Sequence, residues 1–83
     1  MTFNVTQEHI DRGTRGNCSL CPIALSIIQT LRCKDVAVAP DGIDIYFHNG
    51  EAPSFALPNG CAAFMDRFDG CETVKPFSFE LPL

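Results

Sequence analysis

The sequence contains no tryptophan, one tyrosine and only six basic residues against ten acidic ones, for a formal charge of −4. The shortage of Lys and Arg disfavours a general grip on DNA or RNA, because a net negative domain repels phosphate backbones. No apolar run approaches the ~20 residues that a membrane span requires. The first residues, Met1 to His9, lack the basic start and apolar centre of a signal peptide, so a cytosolic protein is expected. No serine stands in a nucleophile elbow and no glycine-rich loop is built for phosphate. The single C-x-x-C has no second ligand pair to complete a zinc site. Five cysteines cannot all pair internally, and a reducing compartment favours thiols over disulfides. Neither an enzyme nor a cofactor is expected from these absences.

What is present suffices for one domain over residues 1–83. Apolar residues make up 46% of the chain and charged residues 19%, which excludes a disordered polymer. A domain of this length carries ~5–8 kcal/mol of stability on the usual per-residue scale. The seven Phe residues are expected to fill much of its core. The acidic residues, among them Asp35, Asp41, Asp44, Glu51, Asp66 and Asp69, are dispersed along the chain as ordinary solubility charge.

The periodicity predicts a β–α–α–β–β–β–α–β order. Phe3 and Val5 alternate with polar neighbours as an opening strand, and Thr6 caps a short helix through Arg12, ended by Gly13. From about Ser19 to Arg32, Leu20, Ile23, Ala24, Ile27, Ile28 and Leu31 form one apolar stripe, with Ser26, Gln29 and Thr30 opposite and Pro22 in the first turn. The period then falls to two. Val36–Ala39, Ile43–Phe47 and a strand holding Phe55 and Leu57 form a meander, turned at Pro40-Asp41-Gly42 and Asn49-Gly50. Pro53 suggests that the third strand lies at an edge. Asn59 is expected to cap a helix through Phe68 with Cys61, Phe64, Met65 and Phe68 inward, stopped by Gly70, before a last strand around Phe77, Phe79 and Leu81. The fold class is therefore α+β, a mostly antiparallel sheet with helices packed on one face.

The one constellation with chemical potential is Cys18-Ser19-Leu20-Cys21-Pro22. Two thiols three residues apart at a helix start suit redox chemistry, because the helix dipole favours thiolate. The same spacing is half of a zinc knuckle, which His9, Cys33, His48, Cys61 or Cys71 would have to complete. The preferred reading is of packed or exposed thiols without metal; a bound metal would take Cys18 and Cys21 first. His9 and His48 read as solvated side chains, and Asp66 and Asp69 flanking Arg67 as a hydrated helix face. Arg12 and Arg15 form the only basic spot. Together with Asn17 in the 13–18 loop, and with Glu51 and Ser54 on the edge strand near 51–57, they are the candidate binding residues.

His9-Ile10, Gly13, Gly16, Cys18, Cys21-Pro22-Ile23-Ala24-Leu25 and Pro76-Phe77-Ser78-Phe79-Glu80-Leu81 resemble a set of small proteins of tailed-phage and prophage genomes, over nearly the whole chain. That group resembles early, non-structural phage products without an assigned activity. The resemblance therefore implies a setting, the host bacterial cytoplasm, and carries over no catalytic residue. In that setting a small acidic domain is expected to bind and modulate or inhibit a host protein, such as a CRISPR effector or another defence complex, or transcription or metabolic machinery. The open edge would also suit a second copy of the chain. The rival readings are a zinc or thiol-redox protein centred on Cys18 and Cys21, and a minor virion or assembly protein.

Overall fold

A computed structural model describes all residues from Met1 to Leu83. The chain's two ends form the first sheet. Strand β1 (Thr2–Val5) buries Phe3 and Val5 and exposes Thr2 and Asn4, as its alternation dictates. It pairs antiparallel with β5 (Phe77–Glu80), Phe3 opposite Phe79, and those two rings stack with centroids 5.4 Å apart. The pairing is laced by Thr2 Oγ1 donating to Glu80 Oε1 at 3.0 Å, and by the N-terminal ammonium donating to the Leu81 carbonyl at 2.8 Å.

Helix α1 (Gln7–Arg12) starts at Thr6, as expected. Its capping box is closed by His9 in place of the usual Glu or Gln: the His9 N–H donates to Thr6 Oγ1, and the Thr6 N–H donates to His9 Nδ1 at 3.0 Å. His9 is thereby buried, which corrects its reading as a solvated side chain. An Nδ1 that accepts from a backbone amide leaves the proton on Nε2, which donates to Gln29 Oε1.

Helix α2 (Pro22–Leu31) begins three residues later than its apolar stripe suggested. Cys21 is the cap: its backbone is extended and its Sγ accepts the Ala24 N–H at 3.4 Å. Residues 18–20 form a turn, and Asn17 Oδ1 takes the N–H groups of Ser19 and Leu20 at 2.9 and 3.1 Å. Leu20 therefore leaves the stripe and stands 46% exposed. Ser26, expected on the polar side, is buried, with its hydroxyl donating to the Ile23 carbonyl at 2.7 Å inside the same helix.

The meander forms as expected: β2 (Asp35–Ala39), β3 (Gly42–Tyr46) and β4 (Ser54–Phe55) pair in that order, all antiparallel. Val36, Val38, Ile43 and Ile45 point inward. The last strand is only two residues long, so Leu57 lies beyond it. At the Asn49-Gly50 turn only Gly50 takes positive φ (+92°), and the Phe47 N–H donates to the Glu51 carbonyl at 2.8 Å. Gly42 is needed where it stands, because a Cβ there would lie 2.5 Å from the Phe55 carbonyl oxygen.

Helix α3 (Cys61–Asp69) starts at Gly60 with no side-chain cap, so Asn59 does not cap it. Its end is a Schellman motif: the Glu72 N–H donates to the Arg67 carbonyl at 2.9 Å and the Cys71 N–H to the Phe68 carbonyl at 3.1 Å. The left-handed residue is Cys71 (φ 62°), one position past the glycine expected to stop the helix. The element order and α+β class are as the sequence predicts, but the strands divide between two sheets, β1–β5 and β2–β3–β4. Helix α2 packs against β1 and β2 and so joins them into one core. No helix is long and apolar enough to cross a membrane.

Candidate functional site

The best-formed recess is a groove of about 250 Å³ between α3, the 16–18 loop and the end of β2. Ala62, Met65, Asp66 and Asp69 line one wall at the spacing of a single helix face. Val38, Pro40 and Leu57 supply apolar surface across from them, and Asn17 and Cys18 form the rim. The walls are tied together. Gly16 N–H donates to Asp69 Oδ1 at 3.0 Å, and Arg15 Nε donates to the Phe68 carbonyl at 3.0 Å. The Arg15 guanidinium also lies 5.1 Å from the centre of the Phe68 ring. On the sheet side, the Val38 N–H donates to the Cys18 carbonyl at 2.9 Å. The loop is therefore held by both helix and strand, and the groove is present before anything binds.

Chemically the groove offers an apolar floor, two carboxylates, an amide and a thiol. It does not pair a nucleophile with a base: the hydrogen-bond neighbour of Cys18 Sγ is Ser19 Oγ at 3.9 Å.

The two cysteines of the C-x-x-C part company. Cys18 is exposed, whereas Cys21 is fully buried as the cap of α2. Burial pushes the Cys21 thiol up, outweighing the hydrogen bond from the Ala24 N–H that favours thiolate. Buried Cys61 is pushed up to about 11, first by desolvation and then by the neighbouring Cys21. Cys33 is raised chiefly by burial as well. Cys21, Cys33 and Cys61 are therefore poorly suited to the role of an attacking thiolate. For metal, His9 is committed to Thr6 and Gln29, His48 is exposed, and no three His, Cys, Asp or Glu side chains converge to hold an ion.

The remaining candidate residues do not gather. Arg12 forms an exposed pair with Glu8 along α1 at 3.2 Å, while Arg15 is fastened to α3, so the two do not share a basic spot. Asn17 both shapes the 17–20 turn and reaches the groove. Glu51 closes the Asn49-Gly50 turn through its backbone, its N–H donating to Asn49 Oδ1 at 2.9 Å. Ser54 Oγ donates to Asp44 Oδ1 across the β3–β4 pair. Neither Glu51 nor Ser54 lines the groove. Sequence reasoning missed Leu57, Ala62 and Met65. Met65 shares the apolar stripe of Phe64 and Phe68 and so reads as core, yet it is only half-buried. The available signal was the 62, 65, 66, 69 spacing, which sets small and apolar residues beside two carboxylates on one face.

Compared with protein-family models, with curated proteins and with solved structures, the chain and its fold match none.

Proposed function

We propose that this chain is a non-catalytic binding module, made by a phage in the host bacterial cytoplasm, that docks onto a host protein and modulates or inhibits it. A defence complex such as a CRISPR effector, or the transcription or metabolic machinery, is the class of target. The observation that carries this reading is the pre-formed groove, whose apolar floor between Met65 and Leu57 has room for an anchoring side chain of the partner. A standard interface takes about 800 Å² from each partner. That is roughly a sixth of this chain's 5002 Å² surface. The thiol and zinc reading has less support, because burial pushes the Cys21 thiol up and no three metal-ligating side chains converge.

The test is affinity capture from host lysate with the wild-type chain beside Met65→Glu. One stoichiometric host protein held by wild type and lost with Met65→Glu is the expected outcome. Capture of nothing, together with unaltered infection when the gene is deleted, sinks the proposal.

A further inference from the structure

The face of α3 turned away from the groove borders a second hollow, open to solvent, of about 490 Å³. Ala63, Phe64 and Arg67 line it from the helix, and Thr73, Lys75 and Phe77 from the chain that leads into β5. We propose that this hollow binds a small anion carrying a flat aromatic ring, the chemistry of a nucleoside monophosphate. The size lies within the ~300–1,000 Å³ of small-molecule sites.

Of the six basic residues, Arg32 and Lys34 are unpaired but lie between α2 and β2, away from this hollow. Arg12 is paired with Glu8, and Arg15 is bound to the Phe68 carbonyl. Arg67 and Lys75 have no ion pair and no side-chain hydrogen bond, and both line this hollow, which no carboxylate borders. In a chain of net charge −4 this is a local reversal of sign. Two free cations beside an uncommitted Thr73 hydroxyl match the acceptors of one phosphate group. The ring is the contribution of Phe77. It packs against Phe64 at 4.7 Å with a 32° tilt, and it stays half-exposed where Phe64 is 7% exposed, leaving aromatic surface for a base to cover. A polymer fits poorly: Glu72 follows the helix and Asp66 and Asp69 occupy its other face, so a phosphate chain leaving the hollow meets carboxylates. The site is independent of the groove and of the protein partner proposed for it.

The test is a nuclear magnetic resonance titration of the full chain with AMP, beside ribose 5-phosphate and an Asp/Glu hexapeptide. Saturable shifts confined to amides 60–67 and 73–77 are expected with AMP. Arg67→Glu and Lys75→Glu, both at exposed positions, should keep the wild-type spectrum and each weaken AMP about tenfold, as loss of a charge-assisted contact does. Phe77→Leu should weaken AMP and leave ribose 5-phosphate unchanged. The proposal is overturned by failure of AMP to saturate at millimolar concentration. It is equally overturned by shifts lying elsewhere, or by ribose 5-phosphate or the peptide binding as tightly as AMP.

Discussion

Helices α2 and α3 are nearly equal in length, yet they are held in opposite ways. Pro22, Ile23, Ala24, Ser26 and Ile27 of α2 are buried, its first turn is capped by a buried thiol, and it packs against strands of both sheets. In α3 only Cys61, Phe64 and Phe68 are buried, and its start has no side-chain cap. Its remaining surface is split between an apolar, acidic groove and a hollow lined by Arg67 and Lys75. The difference separates two tasks. A helix buried around much of its circumference keeps little surface for recognition, here mainly Gln29 and Thr30, whereas one anchored along a single stripe keeps two faces for it.

The contrast is broken most severely at α2. Ile27→Ala removes a fully buried side chain between the sheets and should cost ~2–5 kcal/mol in a denaturant titration, a large share of the chain's stability. High pH reaches the buried thiols where the two helices meet. Because burial raises Cys61 from 9.0 to about 11, the folded state holds that proton more tightly than the unfolded chain. The Cys61 contribution should be fully present below pH 9 and be lost as pH rises from 9 through 11, and Cys61→Ala should lessen that fall while Cys21 and Cys33 keep their share. A smaller effect is expected at the strap between loop and helix: Arg15→Ala loses a hydrogen bond and a cation–π contact, about 1 kcal/mol in the same titration. Cys71→Gly should move the other way and raise stability by ~0.5–1 kcal/mol, since glycine takes the left-handed position without strain. Met65→Glu, at a half-buried position of the groove, should cost ~1 kcal/mol and leave the chain folded while abolishing partner capture.

Local chemistry made much of this legible. The Thr6 cap, the stripe through Ile23 and Ile27, the alternation in the meander and the closing Phe77–Phe79 strand are each written within a few residues. What was not legible depends on unusual or distant partners. Cys21 caps α2 with sulfur, an unusual cap, whereas the apolar stripe beginning at Leu20 places the start near Ser19. His9 closes a capping box that normally ends in Glu or Gln, and its burial follows from contact with Gln29, twenty positions away. The division into two sheets follows from pairing Thr2 with Glu80, for which no local pattern exists. The groove is assembled from residues 16–18, 38–40, 57 and 62–69, so no single stretch announces it.

The two exposed thiols test the central claim most directly. Cys18 stands at the rim of the groove, whereas Cys71 lies outside it, at the end of α3. Maleimide labelling of the complex recovered from host lysate should leave Cys18 protected while Cys71 reacts as in the free chain. Equal labelling of both cysteines with the partner bound would contradict docking at the groove.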